Sequence, residues 1–294
     1  KKAEEEEQGG DKKDLAEKKE AEVEDKGEKK EEEDPKKAGE AALQESEAWY
    51  KKVEQFDSEP WRQGLAVRQL KALLSEHCGP EGEKLQKLCD GYNEEHAKSI
   101  EQGKMFGMAP NLYAVNTFIA KALTKEKQCS VAQVFNPDGL EVDFFLSHAW
   151  AHPIVDTVKC LSEFCIAHHK SLDTRRTSKT ADDYSFWICL FANNQHHLER
   201  VIPPGAGIEE SSFVRMLKSR PQGLVMVLDE RCIPLRRIWC ICELLYARRL
   251  GLQVDLWTRS SVKDTEEQLL QIDVSGAEAS VQADKAMISS EVME

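Results

Sequence analysis

The chain is expected to be an α/β protein, a parallel sheet covered by helices, preceded by a helical region and a charged arm. Three observations carry that expectation. From Leu140 onward, short and nearly continuous apolar runs alternate with longer segments of helical period, the grammar of a parallel sheet buried on both faces. Between residues 41 and 139 only the helical period is found. The first forty or so residues are almost entirely Lys, Glu, Asp, Ala and Gly, so they offer no apolar face to bury.

In chain order, residues 1–40 read as a solvated, disordered arm, because Gly9-Gly10, Gly27 and Pro35 interrupt any charged helix. Its functional reading is an interaction tail. Ala41 to Phe56 begins a helical pattern. A second helix opens at Ser58 as N-cap with Pro60 in its first turn, carries Trp61, Leu65, Leu70, Leu73 and Leu74 on one face, and ends at Gly79-Pro80. A third carries Leu85, Leu88, Cys89 and Tyr92, and a fourth carries Leu112, Val115, Phe118, Ile119, Ala122 and Leu123. Whether these four form a bundle of their own over 41–139 or pack individually onto the following domain is open from sequence.

The expected α/β domain covers 140–260. Val142 to Ser147 is its first strand, and a helix from Ile154 to His169 follows. After the polar loop Ser171 to Asp183 comes a second strand, Ser185 to Phe191. The loop Ala192 to Pro204 leads into a helix ending near Arg220, and Gly223 to Asp229 is the third strand. Pro234 starts an arginine-rich helix that stops at Gly251, before a fourth strand, Leu252 to Trp257. Residues 261–294 read as a helical extension, with Leu269, Leu270 and Ile272 in one stretch and Val281, Met287, Ile288 and Val292 in another.

Composition excludes several function classes. The net charge of −13 disfavours nucleic acid and anionic membrane as partners. No apolar run approaches the roughly 20 residues that cross a bilayer, and no signal-peptide pattern opens the chain. The expectation is a soluble, cytoplasmic protein. The missing initiator Met and the ending Val292-Met293-Glu294 inside a helical pattern read as a piece of a longer chain. Nine cysteines include no C-x-x-C pair, and Cys160, Cys165, Cys189, Cys240 and Cys242 lie in apolar runs, as reduced core thiols do. The ligand-like clusters, His77-Cys78 with Cys89, His168-His169 and His196-His197, are too sparse for a zinc site, so no metal is expected.

One acid stands out. Glu243 lies in the arginine-rich helix, yet its i−4, i−3, i+3 and i+4 neighbours are Trp239, Cys240, Tyr246 and Ala247, so no helical ion pair satisfies it. It is either a chemical group or one half of a tertiary ion pair. In an open parallel sheet, ligands bind beyond the carboxyl ends of the strands. Those ends deliver Ser147-His148-Ala149-Trp150, Asn193-Asn194-Gln195-His196-His197 and Asp229-Glu230. Taken singly, these are ordinary cap and turn residues. Together, with Trp150 and Trp239 as stacking faces and side-chain amides to grip a base or ribose hydroxyl, they suit a nucleotide-sized ligand. Neither a G-x-x-x-x-G-K-[ST] phosphate loop, a G-x-G-x-x-G fingerprint nor a G-x-S-x-G elbow is present. Gly205-Ala206-Gly207 reads as a plain loop.

Two strings resemble one family. Val142-Asp143-Phe144-Phe145-Leu146-Ser147-His148-Ala149-Trp150 looks like the first strand of a Toll/interleukin-1 receptor (TIR) domain, and Trp239-Cys240-x-x-Glu243-Leu244 resembles its third-helix motif. Between them, Phe186 to His196 is similar to the second strand and loop of divergent TIR-like domains in large algal and protist proteins. The resemblance covers roughly Leu140 to Ser260. It implies a flavodoxin-like sheet of about five parallel strands and one of two activities, cleavage of NAD at the nicotinamide–ribose bond or non-enzymatic self-association and recruitment of protein partners in signalling.

In the cleaving kind the acid of the W-C-x-x-E-L motif is essential, which implies Glu243 as the catalytic residue. Ser147, His148, Trp150, Asn193, Asn194, Gln195, His196 and Trp239 are the expected NAD-binding residues. NAD is then a substrate, and no permanently bound cofactor is expected. The chemistry suits one carboxylate, because nicotinamide leaves as a neutral base and needs no general acid, unlike the leaving group of an ordinary glycosidase. Transfer of a ribosyl or deoxyribosyl group between bases is a third reading. The chain departs from the family in its amide- and histidine-rich loop ending in Pro203-Pro204, and in Cys232-Ile233-Pro234-Leu235-Arg236-Arg237 before the W-C string.

Overall fold

A computed structural model of the chain describes residues 35–171, 178–273 and 276–279, together with 285, 286 and 288. The described residues fall into two units, one up to Ser46 and one from Glu47 onward. The sheet, the helices packed on it and the candidate site all belong to the second. The expected arm lies outside the described residues as far as position 34; helix α1 (Pro35–Asp57) starts before the expected residue 41.

The fold is α/β around a five-stranded mixed sheet. Strands β1 (Leu65–Ala66), β2 (Phe144–His148), β3 (Ser185–Trp187), β4 (Gly223–Leu228) and β5 (Gln253–Thr258) stand in the order β1-β3-β2-β4-β5. The last four are parallel to one another, and β1 runs antiparallel to β3 at the edge. In the long central ladder Phe144 lies opposite Gly223 and His148 opposite Val227. The all-parallel sheet expected from sequence is thereby corrected to a mixed one.

The edge strand arises where a helix was expected. Pro60 opens only a short 3-10 turn, Pro60–Arg62, and the chain then runs alongside the lead-in to β2. Gly64 N–H donates to the Leu140 carbonyl at 3.0 Å, and Leu140 and Val142 N–H donate to the carbonyls of Arg62 and Trp61. A Cβ on Gly64 would stand 2.8 Å from the Leu140 oxygen, so glycine permits this approach. The helix starts only at α2 (Val67–Leu73) and continues as a π-helical turn to Cys78. The second expected strand is also shorter than Ser185 to Phe191, because Ile188 caps a helical turn, α9 (Cys189–Ala192).

The remaining helices are α3 (Glu83–Glu95), α4 (Ala97–Glu101), α5 (Leu112–Val115), α6 (Lys121–Thr124), α7 (Val131–Phe135), α8 (Ile154–Ser171), α10 (Ser212–Lys218), α11 (Ile238–Arg249) and α12 (Val262–Leu269). Of the expected C-terminal helical stretch, Ile288 is buried, whereas Val281, Met287 and Val292 lie outside the described residues. So do residues 172–177 of the loop after α8.

Period-2 alternation splits the core into two layers. Phe144, Leu146, Phe186, Val225 and Val227 face α8 and pack in one cluster with Leu70, Leu85, Leu112, Val115 and Ile119 from the N-terminal helices. Phe145, Trp187, Leu224, Met226 and Leu228 face Phe213, Val214 and Leu217 of α10 and Ile238, Ile241 and Tyr246 of α11. The helices of residues 67–135 therefore share the sheet's core and have none of their own. Among the described residues, no helix is long and apolar enough to cross a membrane.

Candidate functional site

The site forms where the carboxyl end of β2 meets α11. On β2, Ser147 follows Phe145 on the α11 side of the sheet, and its hydroxyl donates to Glu243 Oε2 at 2.6 Å. Ser147 is completely buried, and Glu243 is 9% exposed. Among the described residues no cation pairs with this carboxyl. Burial pushes it up to about 8, and the Ser147 hydrogen bond offsets part of that rise. A carboxylic acid held mostly neutral near pH 7 results.

Two thiols stand beside the pair. Cys240, one turn before Glu243, is buried, and its Sγ reaches the His148 carbonyl at 3.6 Å. Burial, with Glu243 beside it, holds the Cys240 thiol well above its ordinary value. Cys189, at the start of α9, is pushed up to about 12 by burial and then by the same carboxyl. Both thiols are therefore neutral. Trp150 Nε1 donates to Cys189 Sγ at 3.1 Å, and the Trp150 ring packs edge-on to Tyr113. His148 faces the α8 side; burial, then nearby His152, lowers its imidazole to about 4, and its Nε2 has no partner among the described residues.

The structure thus joins Ser147 to Glu243, with His148 the last residue of β2 and Trp150 in the turn that follows. The amide run is directed elsewhere. Asn193 Oδ1 accepts from Ser212 Oγ at 2.8 Å. Asn194 Nδ2 donates to the Gln128 carbonyl at 2.8 Å and to Asp57 Oδ2 at 3.3 Å. Gln195 Nε2 donates to the Leu190 carbonyl at 3.0 Å, and His196 Nε2 shares a 2.8 Å hydrogen bond with Thr124 Oγ1. Asn194 and His196 tie the loop after α9 to the helical region, whereas Asn193 is held by α10 and Gln195 closes back on α9. Trp239 is half-buried, edge-on to Phe213 with centroids 5.3 Å apart.

Glu243 does not line any of the four best-formed cavities among the described residues. The cavity nearest the strand ends, of ≈ 510 Å³, opens on the α8 side. His152, Asp156, Asp229, Glu230, Arg231 and Arg259 contribute to its wall. Sequence reasoning reached Asp229-Glu230 and missed the other four. The available signal was position, since His152, Arg231 and Arg259 each follow a strand end by a few residues and Asp156 lies in the first turn of the helix after β2. Among the described residues no three His, Cys, Asp or Glu side chains converge as metal ligands.

No family model, no curated protein and no solved structure matches this chain.

Proposed function

We propose that residues 140–260 are a TIR-like domain of flavodoxin-like architecture that cleaves the nicotinamide–ribose bond of NAD, with Glu243 as its catalytic carboxylate. The observation that carries the reading is a buried carboxyl at the sheet's carboxyl edge, held by a serine hydroxyl and unpaired with any cation among the described residues. A buried acid with a strongly raised pKa at such an edge is a functional-site signature. The order of the parallel strands supports the architecture: counted alone, they run second, first, third, fourth, as in flavodoxin-like sheets.

In this proposal NAD enters when the turn after β2, at Ala149–Trp150, moves off α11, with Ser147 held in the strand. Glu243, ionised and aligned by Ser147, stabilises the oxocarbenium-like charge at C1′ of the ribose as neutral nicotinamide departs. Water or an internal nucleophile then completes hydrolysis or cyclisation. The test is release of nicotinamide from NAD at high protein concentration. Release by the native protein and its loss in Glu243→Ala are expected; equal release by both removes Glu243 from the mechanism.

A second reading is a non-enzymatic interaction module in a larger signalling protein. It is favoured by the absence of Glu243 from the four cavities and by the structural use of the Asn193–His196 amides and imidazole. Self-association at high concentration without nicotinamide release would select it.

A further inference from the structure

We propose that the ≈ 510 Å³ cavity at the carboxyl ends of β2, β4 and β5 binds a phosphorylated sugar, the sugar-phosphate part of a nucleotide included, at a site separate from Glu243. Its place in the topology is the first argument. After β2 the chain leaves through α8 on one face of the sheet, and after β4 it leaves through α11 on the other. The carboxyl ends of these adjacent strands therefore flank the point at which the connections reverse, where open α/β sheets form a ligand crevice. The cavity's volume lies within the usual range of small-molecule sites, about 300–1,000 Å³.

The chemistry of the wall selects the ligand class. Arg231, in the turn after β4, is exposed and makes no side-chain hydrogen bond or ion pair with any described residue. Arg259, after β5, spans α8, pairing with Asp156 and Glu163 at 3.2 Å each. Guanidinium groups suit phosphate oxygens. Asp229 and Glu230 add carboxylates to the same wall. A simple anion is repelled by these acids and a simple cation by the arginines. A ligand carrying hydroxyls at one end and phosphate at the other satisfies both, with carboxylates accepting from the hydroxyls. His152, whose imidazole is lowered by burial, is a neutral polar group beside them.

The turn that presents these groups is already fixed. Asp229 accepts twice, its carbonyl from Cys232 N–H at 3.0 Å and its Oδ1 from Ile233 N–H at 2.8 Å. Cys232 is held at φ 48°, a left-handed backbone that a non-glycine residue adopts only when its surroundings impose it.

The experiment is ligand-observed NMR titration of the full chain with ribose 5-phosphate, AMP, ribose and inorganic phosphate. Saturable binding of ribose 5-phosphate and AMP with Kd below about 1 mM is expected, with ribose and phosphate each weaker by about tenfold or more. AMP binding without ribose 5-phosphate would narrow the class to nucleotides. Arg231→Glu, at an exposed side chain, and Ala151→Trp, which fills the cavity mouth, should each weaken binding by about tenfold or more. Glu243→Gln should bind as the native protein does, so loss of NAD cleavage leaves this result intact. Failure of both sugar phosphates to bind would overturn the proposal. So would phosphate binding as tightly as ribose 5-phosphate, or affinities unchanged in both cavity variants.

Discussion

Glu243 is where sequence and structure meet most closely, since the missing helical partner read from its neighbours corresponds to a carboxyl whose hydrogen-bond partner is a serine. Its folded pKa of about 8 lies above the ordinary 4.5. The neutral form is thus favoured by folding, and the associated stability is complete below pH 4.5 and lost as pH rises to about 8. The loss is on the order of 4 kcal/mol. Glu243→Gln, neutral throughout, should remove that slope, so urea midpoints at pH 8 should be higher in the variant, with the two proteins converging near pH 4.5. His148 acts with the opposite sign. Its pKa is lowered from 6.5 to about 4, so its contribution is present above pH 6.5 and lost as pH falls towards 4. His148→Gln should flatten that acid limb, which a pH series of urea melts would reveal. The destination of the Asn194 and His196 side chains was not legible, because their partners Asp57, Gln128 and Thr124 stand 137, 66 and 72 positions away in the chain.

Among the elements, β2 and β4 were legible because burial on both faces gives them nearly continuous apolar runs, and β5, only partly buried, was legible from its place directly after the helix stop at Gly251. β2, β4 and β5 fall within a residue or two of their expected bounds. β1 was illegible: its two residues owe their extended form to pairing with β3 and to the neighbouring approach of Leu140, and no local period records that. Gly64→Ala tests the cause. A Cβ there must displace the Leu140 carbonyl, so a loss of about 1–3 kcal/mol in urea denaturation is expected. A neutral result would show that the edge tolerates a side chain at that approach. Helix α10 offers a milder test. Ser211 caps it by accepting from Val214 N–H at 3.3 Å, and Ser211→Ala should cost about 1 kcal/mol by the same measurement.

Across the whole second unit, one cluster joins the N-terminal helices to the sheet, so the helical region and the α/β region should melt together. Residues 140–260 expressed alone would expose Phe144, Leu146 and Phe186 on the helix-facing side; such a fragment should bind a hydrophobic dye and lack a cooperative transition. The shared core was not readable from periodicity, which gives each helix an apolar face without naming its partner. The function proposed for the assembled unit comes down to a carboxyl that must ionise to work. Its most direct test is the rate of nicotinamide release from NAD as a function of pH. The native protein should gain activity as pH rises through about 8, where Glu243 loses its proton, with Glu243→Gln inactive throughout. Release by the variant at the native rate would contradict the assignment of Glu243.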